Sequence, residues 1–176
     1  MTLTKTPICN FGKKAQDFKL KSINNKLISL SDITGERATL IMFICNHCPY
    51  VKAIIRDLAK DCNDLKKDGI NAVAIMSNDT ENYPEDSFDN MIKFAEVNNF
   101  NKLNYLIDET QEIAKKYEAV CTPDFFGYNK NLELQYRGRF RELKNLKPIN
   151  NSDSDLKVAM KIVAQTQKGP DEQIPS

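Results

Sequence analysis

The fold is decided by the stretch Thr39-Leu40-Ile41-Met42-Phe43-Ile44-Cys45-Asn46-His47-Cys48-Pro49-Tyr50. It begins with an almost unbroken apolar run, which is typical of a central strand covered on both faces. After Cys48 the apolar residues recur at three- and four-residue steps, and this period predicts an amphipathic helix. Pro49 suits the first turn of that helix, where its missing N–H costs nothing. Two thiols are therefore expected at the junction of a buried strand and a helix.

Strands and helices alternate on both sides of this junction. A second buried strand is expected at 72–76, and strand, helix and strand in so short a length imply a parallel pair with a right-handed crossover. The predicted class is α/β, with a central mixed β-sheet flanked by helices and an N-terminal β-hairpin. Further strands are predicted at 15–20, 26–30, 103–107, 124–128 and 132–138, and further helices at about 88–97, 110–117 and 153–165.

Two loops complete the pattern. Residues 77–87 are acidic and leave the strand end at which α/β sheets place ligands. They are either a solvated connection whose Ser87 caps the next helix or a functional loop. Residues 140–152 are expected to be a loop, with Ser152 or Asp153 as the cap of the final helix.

The composition argues against several classes of protein. With 25 Lys and Arg against 24 Asp and Glu, the net charge of +1 gives no basic excess for a nucleic-acid or membrane-surface partner. No apolar run approaches a membrane span, and the N-terminus lacks the apolar stretch of a secretory signal. A cytoplasmic chain is expected, forming a single domain over 1–176 with a mobile tail from about residue 167.

The cysteines point to thiol chemistry. The chain has five, at an odd count and wide spacing that do not resemble a secreted disulfide framework. One C-x-x-C pair in a reducing compartment indicates redox chemistry or metal binding. Cys9 is interpreted as a free thiol without a role, and Cys62 as part of the core.

Cys45 and Cys48 are predicted to be the catalytic residues. A thiolate attacks a disulfide, and the unpaired N–H groups and positive dipole end of a helix N-terminus stabilise a thiolate. Cys45 is expected to be the more exposed thiol and the nucleophile. Cys48 is expected to be more shielded and to release the mixed disulfide that forms on Cys45.

His47 and metal binding affect this interpretation. His47 is the only histidine in the chain, and an imidazolium beside a thiolate lowers the pKa of the thiol. Cys45, Cys48, His47 and Cys121 could also supply soft metal ligands. A closed zinc site usually draws on two paired ligand clusters, and the second pair is missing here. We therefore predict neither a metal nor a cofactor.

These features resemble the thioredoxin-like superfamily, and more closely its redoxin branch of alkyl hydroperoxide reductase and thiol-specific antioxidant proteins. The resemblance rests on the strand into Cys45-x-x-Cys48, the helix after it and Thr122-Pro123 before a hairpin. The chain looks like small bacterial thioredoxin family proteins that carry Phe-Ile-Cys-Asn-His-Cys-Pro. Further matching segments are Ser77-Asn78-Asp79, Glu81-Asn82-Tyr83-Pro84-Glu85-Asp86-Ser87, Asp108-Glu109-Thr110-Gln111, Cys121-Thr122-Pro123-Asp124-Phe125-Phe126 and Tyr136-Arg137-Gly138.

The resemblance implies a thioredoxin-like three-layer sandwich and a set of supporting residues. Pro123 would be a cis-proline packed against the two thiols, and the backbone of Thr122 would be available to a bound substrate chain. Asn46 and His47 would support the pair from within the motif. Cys121 would lie near the pair, with either a redox or substrate-contact role or a packing role.

The chain also departs from the thioredoxin pattern. Asn46-His47 stand where thioredoxins have Gly-Pro, and a histidine before the second cysteine is similar to protein disulfide isomerases. A less reducing dithiol is therefore expected. Thr39 stands in place of a buried acid, so proton transfer to and from Cys48 must use another group or water.

Three functions compete at this point. The first is a thiol–disulfide oxidoreductase, whose partners would be a protein or small-molecule disulfide and a thiol reductant. The second is a peroxiredoxin-like peroxidase, because Cys48-Pro49 resembles the Cys-Pro of those active sites; Cys45 occupies the position of their threonine, which weakens this interpretation. The third is a metal carrier of similar fold, such as a copper chaperone.

Overall fold

A seven-stranded mixed β-sheet forms the centre of the protein in this computed structural model, which describes residues 5–176. Its order is β2-β1-β5-β4-β3-β6-β7, with β3, β4 and β5 parallel and the other pairs antiparallel. The strands are β1 (Lys19–Ser22), β2 (Leu27–Ser29), β3 (Ala38–Phe43), β4 (Ile70–Met76), β5 (Asn104–Ile107), β6 (Asp124–Asn129) and β7 (Leu134–Tyr136).

Helices cover both faces of this sheet. The helices are α1 (Leu30–Ile33), α2 (Pro49–Lys67), α3 (Phe88–Val97), α4 (Glu112–Tyr117) and α5 (Asp155–Thr166). A short 3₁₀ turn, Pro84–Asp86, precedes α3. No helix within residues 5–176 is long and apolar enough to cross a bilayer.

Strand β3 separates two apolar cores because its side chains alternate between the faces. Leu40 and Met42 belong to the core beneath α2, α3 and α5, whereas Ile41 and Phe43 belong to the core beneath α1 and α4. Every residue of β3 is buried, as its apolar run predicts. The predicted α/β class, with a mixed sheet between helices and an N-terminal hairpin, is confirmed.

The structure corrects three boundaries. The first strand begins at Lys19 rather than at residue 15, because Gly12, Lys13 and Ala15 instead make backbone hydrogen bonds along the edge of β7. Residues 140–152 are not all loop, since they contain a small hairpin of β8 (Leu143–Lys144) and β9 (Lys147–Pro148).

The cap of α5 is the third correction. Neither Ser152 nor Asp153 caps the helix; the N-cap is Ser154, whose hydroxyl accepts from the Lys157 N–H at 3.1 Å. Ser154 is buried and also donates to Asp61 Oδ2 at 2.6 Å. The tertiary contact with Asp61 therefore selects the cap among neighbouring candidates.

The segment after α5 lies along the sheet. The Gln173 side chain donates to the backbone oxygen of Gln135, and its side-chain oxygen accepts from the Arg137 N–H.

The single domain over 1–176 and the mobility of its tail from about residue 167 stay predictions. The absence of a secretory signal was predicted in part on residues 1–4, which lie outside the described residues.

Candidate active site

The Cys-Asn-His-Cys motif lies between the C-terminal end of β3 and the start of α2. The helix begins at Pro49, and Cys48 is its N-cap residue. Cys45 and Asn46 come earlier, in the connection that leaves β3. The structure thus places both thiols at the predicted junction, but the helix N-terminus belongs to Cys48.

The two sulfur atoms share Thr122. Cys45 Sγ lies 3.3 Å from Thr122 Oγ1, and Cys48 Sγ donates to the Thr122 backbone oxygen at 3.2 Å. Cys45 is 1% exposed and Cys48 is 8% exposed. The prediction that Cys45 is the more exposed thiol is therefore wrong, because the chain bends at Asn46 and His47 and leaves Cys48, the N-cap residue of α2, as the outer thiol.

The two thiols are also made unequal by their surroundings. A hydrogen bond from Cys45 lowers the pKa of Cys48 below the ordinary thiol range, and the first-turn N–H groups of Val51 and Tyr50 act in the same direction against the effect of burial. The same hydrogen bond, burial and the nearby Asp86 carboxylate raise the pKa of Cys45. At neutral pH the pair therefore favours a thiolate on Cys48 and a thiol on Cys45.

Asp86 organises the motif, and sequence reasoning missed it. This carboxylate is 0% exposed. Its Oδ1 accepts from the N–H groups of Asn46 at 2.7 Å and of His47 at 3.2 Å. Its Oδ2 lies 2.6 Å from His47 Nδ1 and accepts from Asn78 Nδ2 at 2.7 Å. The sequence signals were the position of Asp86 in an acidic loop at a strand end and its place in one of the segments that carry the resemblance.

Asn46 and His47 are held in place by these contacts and two more. Asn46 Oδ1 accepts from the buried Tyr105 hydroxyl at 2.9 Å. The His47 ring stacks on Tyr83, with centroids 5.0 Å apart and planes 2° from parallel. His47 Nδ1 faces Asp86, and the charge of Asp86 opposes ionisation of Cys45. The predicted effect of His47, to lower the pKa of the neighbouring thiols, stays a prediction.

The loop before β6 supplies the other side of the site. The peptide bond between Thr122 and Pro123 is cis, as the resemblance implied. Cys121 is half-buried, and its Sγ lies 3.6 Å from the Pro123 backbone oxygen. Burial and the Asp124 carboxylate raise the pKa of Cys121 to about 12, so it is a thiol at neutral pH. Its role stays a prediction.

A buried ion pair anchors this loop, and it too was missed. Asp124 Oδ2 accepts from Arg137 Nη2 at 3.0 Å and from the Val120 N–H at 3.1 Å. Arg137 also donates to the Glu118 backbone oxygen at 2.7 Å and packs over the Phe126 ring, 4.4 Å from its centroid. The pair therefore ties β6 and β7 to the loop that carries Thr122.

A cleft of about 500 Å³ opens beside Cys48. Cys121, Thr122, Pro123 and His47 line it together with Cys48. Cys45 is not among the described residues that line it. Of the Cys45–Cys48 pair, Cys48 is therefore the thiol that a substrate in this cleft would meet.

A metal ion is the other occupant that these residues allow. Cys45 Sγ, a His47 ring nitrogen and an Asp86 oxygen lie within 4.8 Å of one another. The two Asp86 oxygens already take part in hydrogen bonds with Asn46, His47 and Asn78. A metal at this point would have to displace the contacts that shape the motif.

Comparisons with known proteins place this geometry in a family. The model of a family described as the AhpC/TSA family matches residues 11–140. No curated protein matches the chain.

Solved structures similar to this chain are of two kinds. An uncharacterized conserved protein from Geobacillus kaustophilus is 38% identical, with a TM-score of 0.93 over 100% of this chain and 93% of that one. A hypothetical protein from Sinorhizobium meliloti is 33% identical, with a TM-score of 0.89 over 99% and 94%. The thioredoxin domain of a thiol-disulfide oxidoreductase from Bacteroides vulgatus is 17% identical, with a TM-score of 0.61 over 77% and 89%. The last shows only that the fold is thioredoxin-like.

Proposed function

The chain belongs to the AhpC/TSA family and has a thioredoxin-like fold, and from that premise we propose that it is a thiol–disulfide oxidoreductase working through Cys45 and Cys48. The observation that carries the proposal is the contact of both sulfurs with Thr122, at 3.3 and 3.2 Å, beside a cleft. Two thiols that share one neighbour and a hydrogen bond are placed to form a disulfide after modest movement.

The reaction has two steps. A thiolate of the pair attacks a substrate disulfide RS–SR; the S–S bond breaks, a mixed disulfide forms and RS⁻ leaves. The second thiol loses its proton and attacks the mixed disulfide, which releases the second RS⁻ and closes the Cys45–Cys48 bond. The protein dithiol loses two electrons and the substrate gains them. A thiol reductant must then return the protein to the dithiol.

The geometry favours Cys48 for the first attack, the reverse of the order that the motif suggested. Cys48 lines the cleft, is the more exposed thiol and receives the first-turn N–H groups of α2. In the dithiol form it donates to the Thr122 carbonyl; once ionised, it keeps these N–H groups as donors. Cys45 lies deeper, where it can resolve the mixed disulfide by attacking from beneath.

Single-cysteine variants test both the function and the order of attack. Reduced wild-type protein should release two thiols per molecule from a neutral aromatic disulfide and form the internal bond. Cys45→Ser should stall as a stable mixed disulfide on Cys48, and Cys121→Ser serves as a control that completes the reaction. A stable mixed disulfide on Cys45 in the Cys48→Ser variant, together with no adduct on Cys48 in the Cys45→Ser variant, would restore the order expected from the motif. Full turnover by a variant that lacks both Cys45 and Cys48 would contradict the proposed function.

A thiol peroxidase is the second candidate, and the position of Cys48 favours it. Cys48 precedes Pro49 at the start of α2 and favours the thiolate. Its thiolate would attack a hydroperoxide, releasing an alcohol and leaving a sulfenic acid; Cys45 would then condense with it and release water. Stopped-flow consumption of peroxide that is much faster than consumption of disulfide would rank this reaction first.

The setting and the partners remain part of the proposal. A dithiol that is regenerated by a thiol reductant suits the reducing cytoplasm. The substrate is a protein or small-molecule disulfide; neither nucleic acid nor a membrane surface is required. Recovery of mixed disulfides formed by Cys45→Ser in cells would identify the substrate, and recovery of nucleic acid or lipid alone would contradict this assignment.

A further inference from the structure

The cleft beside Cys48 has a charge pattern that thiol exchange by itself does not require. Lys5, Arg139 and Arg141 line it, whereas no Asp or Glu side chain lines it among the described residues. Thiol exchange needs the sulfur atoms and a route to them. The three cations therefore call for another explanation.

The two arginines are only partly satisfied by their own ion pairs. Arg139 contacts Asp155 at 2.6 Å and Glu142 at 3.3 Å, both outside the cleft lining. Arg141 lies 3.5 Å from Asp57, which also lies outside the lining, and donates to the Ser152 backbone oxygen at 3.3 Å; its buried Nε has no hydrogen-bond partner among the described residues. Arg141 in particular keeps unused capacity to donate hydrogen bonds.

Most of the other lining residues are apolar, apart from His47, Thr122 and Ser176, and the cleft is small. Tyr50, Ile54, Val120, Phe140 and Leu143 contribute to its walls. A volume of about 500 Å³ lies in the range that small molecules fill in proteins. An occupant should therefore combine an apolar body with a negative charge.

Resting on the proposed function, we propose that the substrate is a low-molecular-weight disulfide whose thiol halves carry carboxylate groups. A carboxylate would pair with the Arg139 and Arg141 guanidinium groups, which suit it geometrically. The sulfur of the same half would then lie towards Cys48, which lines the same small cleft. The arginines would act as positioning residues, since they would touch the substrate without taking part in sulfur chemistry.

The electron balance is that of the proposed exchange. Cys48 thiolate breaks the substrate S–S bond and one carboxylate-bearing thiolate leaves. Cys45 displaces the second, so that two substrate thiols form as the Cys45–Cys48 disulfide closes. One oxidised substrate thus consumes one protein dithiol.

Two aromatic disulfides, one dianionic and one neutral, test the proposal in single turnovers. Dithiobis(nitrobenzoate) carries two carboxylates at neutral pH, and dithiodipyridine is neutral. The ratio of their rate constants should fall by about fivefold in Arg141→Gln and in Arg139→Gln, the order expected of partly exposed ion pairs. Arg56→Gln, an exposed position on α2 outside the cleft, should keep the wild-type ratio.

A salt series on the wild type gives a second measure that needs no variant. The rate with the dianionic disulfide should fall as ionic strength rises, while the rate with the neutral one stays level. Ratios that are unchanged in both arginine variants, or salt dependences that are equal for the two probes, would overturn the substrate class. Failure of wild-type protein to reduce either probe would instead overturn the proposed function.

Discussion

Two buried carboxylates, Asp86 and Asp124, hold the two loops that build the candidate site, and they do so differently. Asp86 accepts hydrogen bonds from Asn46, His47 and Asn78. Asp124 faces a guanidinium, that of Arg137, at 3.0 Å. Both carboxylates are 0% exposed. The charge of Asp86 is thus spread over dipoles and one imidazole, whereas that of Asp124 is matched by a full cation.

Asp86 therefore acts mainly on the thiols, whereas Asp124 acts mainly on the stability of the fold. Asp86 touches the motif itself and raises the pKa of Cys45 by its charge. Asp124 ties β6 to β7 through an ion pair whose two charges are both out of water. Loss of one partner of such a pair leaves an uncompensated buried charge. The same substitution at the two positions should therefore have different consequences.

The largest effect on stability is expected from Asp124→Asn. The neutral amide would leave the buried Arg137 cation without its counter-charge, at a cost of about 3–5 kcal/mol in the free energy of unfolding. Urea unfolding measures this cost. Replacing both partners by apolar residues should cost less than the single change, and a cost below about 1 kcal/mol for Asp124→Asn would show that the pair is not an anchor.

Asp86→Asn should cost less, about 1–3 kcal/mol, because only hydrogen bonds to uncharged donors and to His47 are impaired. An amide nitrogen would replace one acceptor oxygen and oppose the donors already there. Removing the negative charge should also lower the pKa of Cys45, which thiolate absorbance against pH would record. A loss of stability equal to that of Asp124→Asn, with unchanged thiol titration, would erase the proposed distinction.

Tyr105→Phe tests a second contact that holds Asn46, the residue whose N–H donates to Asp86. Its hydroxyl donates to Asn46 Oδ1 at 2.9 Å in a buried setting, so its removal leaves a buried acceptor unpaired and costs about 1 kcal/mol. Calorimetry should record a fall in melting temperature of roughly 2–4 °C. Asn46 also donates to Asp86 Oδ1 and, at 3.1 Å, to the Glu85 backbone oxygen. An unchanged melting temperature would show that these two contacts suffice to hold it.

The smallest effect is expected from Cys121→Ser on the Asp124 side. Burial and the Asp124 carboxylate raise the pKa of Cys121 to about 12, so this thiol is not ionised at neutral pH. The disulfide-exchange rate should remain within about twofold of wild type. The rate of the first attack, by Cys48, should also be level from pH 7 to pH 9, because the pKa of Cys48 is lowered below this range. A large loss of rate in Cys121→Ser would make it a third participating thiol.

Most of the scaffold was predictable because local pattern and tertiary environment agree. The apolar run of β3 required burial on both faces, and the three- and four-residue steps after Cys48 required one buried helix face. The cap of α5 was missed by one or two residues, since Ser152, Asp153 and Ser154 are equivalent as sequence. Only the contact of Ser154 with Asp61 distinguishes them.

The candidate site was predictable in its residues but not in its roles. Cys45, Cys48, Thr122 and Pro123 meet as the motifs implied. Their relative exposure did not follow, because it depends on how the two thiols face the cleft, which Cys48 lines and Cys45 does not. With only Asn46 and His47 between the two thiols, the spacing of the motif does not show which of them faces outward.

The sequence by itself determined the α/β sheet, the junction of β3 with α2 and the meeting of two thiols there, because apolar periodicity and thiol spacing are local properties. Tertiary structure alone decided that Cys48 faces the cleft and that Asp86 and Asp124 are buried. An acidic residue in a polar loop carries no mark of burial. Asp86 is held by residues of the segments that follow β3 and β4, and Asp124 by Arg137, which follows β7. The charge of each thiol depends on the contact between Cys45 and Cys48, on burial, on the first-turn N–H groups of α2 and on Asp86, and this arrangement exists only once the chain has folded.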